Sequence, residues 1–394
     1  MRIGMFTDMY LPHISGVTNH ISLYKRRFED LGHEVYVFTF GDLDYADAEP
    51  NVVRSPGLAW GDTGWRAAVS FSAPARAIIR TLDVAHVHHP FQSGPLALRI
   101  CREHGIPLVF TNHTRYELYS DSYASYVPQP LRYWFLRRTL KRFCESTDLV
   151  VAPAASIAEW LGTFAGYSDA VVVPNGIDID RFANPVQPRA REEFGFGPDD
   201  IVLCYAGRLG PEKNTEWLAS EFAAAAAREP RLRLLIVGDG PSSAGARAVL
   251  AEAGVADRAH FTGLVDYVQV PGFEAAADAF VTGSVTEVHP LVVLEAMAAG
   301  LPVLAVSSPG ISDTVIDGEC GLLAPQVTDG ALAERMLALA GDADLRMRLH
   351  AGARDRANAY AFAHTADVVL AHYERLAAAR HRCIHRLRTG GPRC

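Results

Sequence analysis

Two glutamates, Glu287 and Glu295, stand eight residues apart in the stretch TEVHPLVVLEAMAAG at 286–300. Pro290 suits the first position of a helix, which places Glu287 in the preceding loop and Glu295 more than one turn inside the helix. At ~1.5 Å per residue the two carboxylates are about 12 Å apart, whereas the carboxylate pairs of glycoside hydrolases are roughly 5–9.5 Å apart. We therefore expect these glutamates to contact two ends of one long ligand. The alternative is that Glu287 caps the helix and Glu295 forms a salt bridge.

Two cations follow another apolar run. The strand-like IVLCYAG at 201–207 leads into Arg208, and Lys213 comes five residues later in GRLGPEKN. Cations at the carboxyl end of a strand can neutralise a diphosphate leaving group. The alternative is a pair of surface cations beside a turn.

One glycine, Gly16, stands in the first strand-to-helix junction, just before a helix that we expect to start near Val17. A residue without a Cβ lets a phosphate approach the amides at a helix N-terminus, although a simple turn glycine is the alternative. The three-glycine dinucleotide fingerprint is absent here and from GDGPSSAG at 238–245, which disfavours NAD binding.

The elements that would position these residues form two series. Short β-rich runs alternate with helical patterns from residue 2 to 175, and again from 201 to 307, with a Gly- and Pro-containing linker at 176–199. This α/β pattern predicts two doubly wound domains in tandem, and ligands bind such sheets outside the carboxyl ends of their strands. We predict domains at 1–180 and 181–364, followed at 365–394 by a helix, which we expect to return to the first domain, and a basic tail.

Composition limits the classes of partner. The 394 residues carry a formal net charge of -8, which disfavours nucleic acid as a partner. No signal-like start and no apolar run of about 20 residues is present, and the six cysteines are scattered. We expect a cytoplasmic protein, peripheral on the membrane at most.

Seven short stretches occur in a recognisable order: FTDMYLPHISGVTNHI, TNHTRYELY, VPNGIDIDRF, YAGRLGPEKN, LLIVGDGP, FTGLV, and the E-x7-E stretch followed by AMAAGLPVLA. In these motifs the chain resembles the retaining GT-B glycosyltransferases of family 4 over essentially its whole length. The resemblance implies two Rossmann-like domains that face each other across a cleft. It also implies that a nucleotide sugar binds mainly to the second domain and the acceptor mainly to the first.

The resemblance also implies residue roles. Glu287 would contact the hydroxyls of the transferred sugar and Glu295 those of the ribose, while Arg208 and Lys213 would hold the diphosphate. His113 matches the family histidine beside the donor sugar.

The phosphates would receive further help from the amides of Leu291 and Val292 and from the Gly16 loop. Two departures stand out: Ser15 replaces a common glycine before Gly16, and H-P-L replaces the common F-G-L after Glu287. Because Pro290 has no N–H, phosphate binding there would be weaker or supported by His289.

The expected reaction needs no cofactor and no metal. No D-x-D motif lies beside the expected sugar pocket, and Arg208 with Lys213 supply the charge of a divalent ion. The leaving diphosphate itself would accept the proton of the attacking hydroxyl. The donor, a UDP- or GDP-linked hexose, is not identified by any motif.

The acceptor-side sequence TNHTRYELYSDSYASY resembles the branch of the family that glycosylates diacylglycerol and related membrane lipids. The stretch 129–143 holds five Arg or Lys residues, no acid, and aromatic residues at helical spacing, which is typical of an anchor on anionic lipid. We expect Arg137, Arg138, Lys141 and Arg142 to face the membrane. An ordinary domain helix is the alternative.

Three functions stay open on the sequence alone. The first is transfer to a hydroxyl of a lipid, and the second is the same reaction on a soluble sugar, polyol or natural-product acceptor. The third is a non-catalytic two-domain sugar-binding protein.

Overall fold

Contacts between residues divide the chain into two compact units. The structure is a computed structural model that describes residues 1–13, 15–59, 66–123 and 126–388. The first unit comprises the described residues of 1–117, of 126–176 and from 363 onward, and the second comprises the described residues of 118–125 and 177–362. The divisions after 176 and 362 lie a few residues before the expected ones at 180 and 364. The expected basic tail, at 389–394, lies outside the described residues.

The strands, in chain order, are β1 Arg2–Phe6, β2 Glu34–Phe40, β3 Val52–Ser55, β4 Leu58–Ala59, β5 Arg66–Ala67, β6 Val84–Val87, β7 Leu108–Thr111, β8 Leu149–Ala152, β9 Val171–Val172, β10 Ile201–Ala206, β11 Leu232–Val237, β12 Ala259–Phe261, β13 Ala279–Val281, β14 Val303–Val306 and β15 Gly321–Ala324. The α-helices are α1 Gly16–Asp30, α2 Ala73–Ile79, α3 Ser93–His104, α4 Tyr116–Tyr123, α5 Gln129–Cys144, α6 Ala155–Trp160, α7 Ile179–Ala183, α8 Thr215–Ala226, α9 Ser243–Glu252, α10 Val270–Glu274, α11 Leu291–Ala298, α12 Pro309–Thr314, α13 Ala331–Gly341, α14 Ala343–Asn358 and α15 Phe362–Arg388. A π-helical turn, Leu161–Ala165, extends α6, and a 3-10 turn, Pro211–Lys213, precedes α8.

Each unit contains one parallel sheet. The strand order is β3-β2-β1-β6-β7-β8-β9 in the first unit and β12-β11-β10-β13-β14-β15 in the second. Both sheets are doubly wound, because the order reverses at β1 and at β10. The prediction of two Rossmann-like α/β domains is therefore confirmed. The carboxyl ends of β1 and β6, and of β10 and β13, are the switch points at which such sheets bind ligands.

Alternation along β10 shows why the second sheet is covered on both faces. Leu203 and Tyr205 belong to one buried cluster, while Val202 and Cys204 belong to another. Successive strand residues point to opposite faces, so a continuous apolar run is buried on both sides.

The last helix, α15, packs on the first unit. The Tyr373 hydroxyl forms a short hydrogen bond with His86, and Asp367 pairs with Arg27 at 3.4 Å. In the described part of the chain, no helix has both the length and the apolar character that crossing a bilayer requires.

Candidate active site

The predicted site residues of the second unit follow the carboxyl ends of β10 and β13. Arg208 comes two residues after β10, and Lys213 ends the 3-10 turn that follows. Glu287 lies in the loop between β13 and α11, and Glu295 lies within α11. The parallel sheet thus brings to one edge residues that are far apart in sequence.

Lys213 and Glu287 form an ion pair. The ammonium Nζ donates a hydrogen bond to Glu287 Oε1 at 2.6 Å, across 74 residues of sequence. Burial would raise the pKa of Glu287, but the Lys213 charge and hydrogen bond offset it, so the pKa lies below its usual value. Glu287 is therefore a carboxylate, able to accept bonds from hydroxyl groups.

Arg208 also has a carboxylate partner. Its guanidinium donates to Glu212, whose side chain is buried in the 3-10 turn. Each predicted diphosphate-binding cation is thus partnered by a carboxylate, and a bound diphosphate would share these charges rather than meet bare cations.

Glu295 is held by a residue that the sequence did not point to. The Tyr267 hydroxyl donates to Glu295 Oε1 at 2.5 Å, and the Arg181 guanidinium lies 4.3 Å from the centre of the Tyr267 ring. Burial raises the pKa of Glu295 to about 7, although the Tyr267 hydrogen bond and Arg181 oppose that shift. Twenty-eight residues separate Tyr267 from Glu295, and no local pattern signals their contact.

The N-terminus of α11 differs from the sequence expectation in one respect. Pro290 is the residue before the helix rather than its first residue, and Leu291 and Val292 are the first two helical positions. Val293 and Leu294 donate to the Pro290 carbonyl, so the amides of Leu291 and Val292 precede the intrahelical ladder and suit an anion.

His289 adds no positive charge beside this helix end. It is buried against Tyr360, with ring centroids 5.2 Å apart, and burial lowers its pKa to about 3, helped by Arg356. Support of phosphate binding by His289 would therefore come from a hydrogen bond of the neutral ring and not from charge.

Two glycines of the GDG loop are required by close backbone packing. A Cβ on Gly238 would lie 2.1 Å from the Gly207 carbonyl oxygen, and one on Gly240 would lie 2.5 Å from the Leu209 oxygen. Both glycines have positive φ, 136° and 158°. They serve the packing of the loop that carries Arg208, which explains glycines that do not match a dinucleotide fingerprint.

In the first unit, Gly16 is the first residue of α1 rather than the residue before it. Ser15 caps the helix by accepting from the Thr18 amide at 3.2 Å, and the Thr18 hydroxyl accepts from the Ser15 amide at 2.7 Å. The serine that replaces a common family glycine thus stabilises the helix start.

His113 lies two residues after β7 and beside other histidines of the same sheet edge. Its Nε2 is 2.9 Å from His88 Nδ1, and its ring centroid is 4.9 Å from that of His20. Burial lowers the pKa of His113 well below its ordinary value, with a further contribution from His20. The imidazole is therefore neutral near pH 7.

The basic helix α5 presents two different surfaces. An apolar stripe of the helix turns toward the unit: Leu140 and Phe143 are buried, and Tyr133 and Leu136 are partly buried. The aromatic pair beside that stripe does not follow it, because Trp134 and Phe135 are 58% and 55% exposed.

The four cations predicted to face a membrane are all exposed: Arg137, Arg138, Lys141 and Arg142. Together with Trp134 they line an open cleft of about 870 Å³ between α5 and the π-helical turn. Arg137 lies 5.1 Å from the Phe164 ring centre and Arg138 lies 5.9 Å from that of Trp134.

Two family models match the chain. Residues 14–181 match Glycosyltransferase Family 4, and residues 186–356 match Glycosyl transferases group 1. The site residues described above all lie within these two ranges.

Similar proteins include an alpha-monoglucosyldiacylglycerol synthase of Streptococcus pneumoniae, 29% identical over 351 residues that cover 86% of this chain and 79% of that protein. A D-inositol 3-phosphate glycosyltransferase of Kribbella flavida is 30% identical over 387 residues, covering 91% and 90%. The solved structure of a sucrose-phosphate synthase from Thermosynechococcus elongatus superposes with a TM-score of 0.77 at 21% identity, covering 96% and 99%. The chain therefore belongs to the group 1 glycosyltransferases with a family 4 amino-terminal domain and the GT-B fold, and it is a glycosyltransferase.

Proposed function

We propose that the protein is a retaining glycosyltransferase that moves a hexose from a UDP- or GDP-linked donor to a hydroxyl of a membrane lipid such as diacylglycerol, giving an α-glycoside. The observation that carries the lipid acceptor is the exposed aromatic and basic face of α5. The name of the Streptococcus pneumoniae relative, which refers to a diacylglycerol product, supports the same acceptor.

The donor is proposed to bind the second unit at the switch point between β10 and β13. Lys213 and Arg208 bind the diphosphate, and the amides of Leu291 and Val292 contact it at the start of α11. Glu287 accepts hydrogen bonds from the sugar hydroxyls, and its ion pair with Lys213 at 2.6 Å supports a role beside the cation that we propose binds the diphosphate. Glu295 accepts from the ribose hydroxyls.

The proposed chemical step transfers one proton and exchanges one bond. The acceptor hydroxyl oxygen bonds to C1 of the sugar on the face from which the diphosphate leaves, while the bond between C1 and the diphosphate oxygen breaks. The proton of the hydroxyl passes to that diphosphate oxygen. Lys213 and Arg208 stabilise the negative charge that develops on the leaving diphosphate. Stabilisation of developing charge by fixed groups is usually the largest single contribution to catalysis.

The neutral His113 imidazole is proposed to contact the donor sugar. Because burial keeps it uncharged, it can form a hydrogen bond with the sugar through Nδ1, the nitrogen that does not face His88, without repelling the positive charge that develops at C1. His113 thus orients the sugar and is not a metal ligand in the reaction, for which we expect no metal or other cofactor.

The membrane contact is proposed to use one face of α5. Residues at positions i, i+3, i+4, i+7 and i+11 share a helix face, and the exposed residues with this spacing are Leu131, Trp134, Phe135, Arg138 and Arg142. The first three are apolar and the last two cationic. Apolar insertion at one end and attraction to anionic headgroups at the other is the chemistry of an interfacial helix.

A soluble acceptor is the second candidate. The Kribbella flavida relative is named for D-inositol 3-phosphate and covers slightly more of the chain than the diacylglycerol relative does. Nothing in a soluble acceptor would require the exposed Trp134 and Phe135. Membership of a glycosyltransferase family sets aside the non-catalytic sugar-binding protein.

The experiment is a mass-spectrometric screen of UDP-glucose, GDP-mannose and related donors. Each donor is combined separately with diacylglycerol in anionic vesicles and with a soluble panel that includes inositol phosphate and 2-deoxystreptamine. We expect a hexosyl lipid with an α anomeric linkage. Products only on soluble acceptors would reject the lipid proposal, and a β linkage would reject retention.

A further inference from the structure

Three histidines form a cluster at the carboxyl edge of the first sheet, in which His20 and His88 are buried and His113 is partly buried. His20 lies on α1, His88 directly follows β6, and His113 lies two residues after β7. Each offers one ring nitrogen, and these nitrogens lie within 4.8 Å of one another. The cluster draws on three elements of one unit, so its geometry does not depend on how the two units are arranged.

Two nearby histidines, His86 and His89, are held by hydrogen bonds to other side chains or to the backbone. His86 bonds to Thr111 Oγ1 at 2.7 Å through one nitrogen and to the Tyr373 hydroxyl through the other. His89 Nδ1 lies 3.2 Å from both the Thr7 hydroxyl and the Asp8 amide. These contacts fix both rings in place.

The clustered histidines differ in their hydrogen bonding. Within the described residues, His20 Nδ1 and His88 Nε2 are buried and have no hydrogen-bond partner. A buried polar atom without a partner costs on the order of 1–3 kcal/mol. Two such nitrogens in one cluster are unusual for a packed core, and a metal ion bound through His20 Nδ1 would give one of them a partner.

The spacing suits a small transition-metal ion. Zinc–nitrogen bonds of ~2.0–2.1 Å in tetrahedral geometry place ligand nitrogens about 3.4 Å apart. His88 Nδ1 and His113 Nε2 are already 2.9 Å apart, so modest side-chain rotation would bring three nitrogens around one ion. Imidazole nitrogens favour Zn²⁺, Co²⁺, Ni²⁺ or Cu²⁺ over Mg²⁺, which prefers oxygen.

The packing around His88 makes the site rigid on one side. The His88 ring lies 4.2 Å from the ring of His86, centre to centre, and His86 is anchored through both nitrogens. His20 in turn stacks on Tyr24 with ring centroids 4.3 Å apart. Ligands held by such second contacts lose less freedom when an ion binds.

We propose that His20, His88 and His113 bind one transition-metal dication of the Zn²⁺ class through three imidazole nitrogens, and that an occupied site lowers glycosyl transfer. Binding stands on the cluster alone. Inhibition rests on the proposed function, because His113 is the residue that we place beside the donor sugar, and an imidazole bound to a metal cannot contact that sugar in the same way. The ion is thus an inhibitor and not a cofactor.

The binding experiment uses the full chain stripped of metal with EDTA and then desalted. Co²⁺ is titrated, and the intensity of its visible absorption distinguishes four-coordinate from six-coordinate ions. His20→Gln and His88→Gln keep side-chain size, and His104→Gln, an exposed residue at the end of α3, is the matched control.

We expect the wild type and His104→Gln to bind one equivalent of four-coordinate Co²⁺, and each cluster variant to bind at least about 100-fold more weakly. Zinc should raise the thermal midpoint of the wild type, and circular dichroism of the metal-free variants reports whether they fold. Weak six-coordinate binding by a folded wild type, or unchanged affinity in a folded His20→Gln, would overturn the site.

The activity experiment compares initial transfer rates in EDTA and in excess Zn²⁺. We expect at least a tenfold decrease for the wild type and His104→Gln, and less than a twofold change for His20→Gln relative to its own rate in EDTA. Stoichiometric binding without inhibition would reject the inhibitory role. Transfer by an enzyme that binds no metal would reject the site and leave the proposed function intact.

Discussion

Lys213 and Glu287 form an ion pair at the carboxyl edge of the second sheet, with their charged atoms 2.6 Å apart. An ion pair of this kind orders both side chains before a substrate arrives, so neither must be immobilised during the reaction. The same pairing makes the two residues interdependent, and removal of one leaves a partly buried charge without its partner.

Lys213→Ala and Arg208→Ala should each lower turnover about 100-fold or more, by analogy with the ~2.7–4 kcal/mol lost when one donor to a developing anion is removed. Lys213→Arg should not restore full activity, because a planar guanidinium replaces a compact ammonium. Arg228→Ala is the control, since this exposed cation of the same unit pairs with Glu334 on the surface. Wild-type kcat/KM in both alanine variants would reject their assignment to the diphosphate.

Substitution of the two glutamates should change different kinetic constants. Glu287→Gln should lower kcat, because the proposed contact is with the reacting sugar, and Glu295→Gln should raise the donor KM, because the proposed contact is with the ribose. Steady-state kinetics with varied donor measures both. Identical kinetic defects in the two variants would count against this division of roles.

Glu295 should also make the free energy of unfolding depend on pH. Burial raises its pKa in the folded protein to about 7, above the ordinary 4.5. The contribution of the protonated Glu295 carboxyl to the free energy of unfolding is fully present below the pKa of the unfolded chain. It is lost as the pH rises through about 7. As the pH rises over this range, the free energy of unfolding of Glu295→Gln should increase relative to that of the wild type, by on the order of 3 kcal/mol.

Chemical denaturation at pH 5 and pH 8 measures that shift. Gln can still accept the Tyr267 hydrogen bond, and Glu252→Gln, at an exposed position of α9, controls for a general effect of charge. Glu274 is a second buried carboxyl whose pKa is raised by burial and by Glu295, so its own titration adds to the wild-type slope. A constant difference between Glu295→Gln and wild type would show that Glu295 does not titrate in this range.

Among the elements, α5 has one buried face and one exposed face. Leu140 and Phe143 are buried in the first unit, while Trp134 and Phe135 lie in the solvent beside exposed cations. The buried side fits an ordinary domain helix, and the exposed side is the one that we propose contacts a membrane.

Replacement of the four cations of α5 by Ser should weaken binding to anionic membranes. Each cation near such a surface is worth ~1 kcal/mol, so up to about 4 kcal/mol, or about a thousandfold in partitioning, should be lost, and less at high salt. The measurement is sedimentation with phosphatidylglycerol liposomes. The four changes are Arg137→Ser, Arg138→Ser, Lys141→Ser and Arg142→Ser.

A matched control removes the same charge from other exposed positions of the same unit. Its four changes are Arg26→Ser, Arg80→Ser, Arg99→Ser and Arg102→Ser. We expect the control to sediment with liposomes as the wild type does. If both variants lose binding equally, net charge and not α5 determines the attraction, and if the wild type stays in the supernatant at low salt, the membrane contact is wrong.

At the scale of the whole molecule, local patterns predicted most of the sheet architecture. The alternating apolar runs predicted the central strands of both sheets, because strand and helix periodicities are local properties of the chain. Four of the described strands lie outside those runs: the edge strands β3 and β15, and the two-residue strands β4 and β5. β15 is only four residues long, begins at Gly321 and contains no β-branched residue, and β3 is a four-residue strand ending at Ser55 just before Pro56.

The contacts that complete the site could not be predicted in the same way. The pairing of Lys213 with Glu287 and of Tyr267 with Glu295 depends on which strands lie side by side, and that order is a property of the folded sheet. The unpartnered nitrogens of His20 and His88 are likewise visible only after packing has buried them. Sequence motifs predict candidate site residues, and the fold adds which atoms they contact.

The most direct test of lipid glycosylation is a competition in a single reaction. The enzyme receives a donor that it uses, diacylglycerol in phosphatidylglycerol vesicles, and equal amounts of soluble inositol phosphate and 2-deoxystreptamine, with EDTA present throughout. Mass spectrometry measures the initial rate of each product, and nuclear magnetic resonance determines the anomeric configuration. We predict that the α-hexosyl lipid is the main product despite the chelator. A soluble glycoside as the main product, or a requirement for added magnesium or manganese, would contradict the proposal.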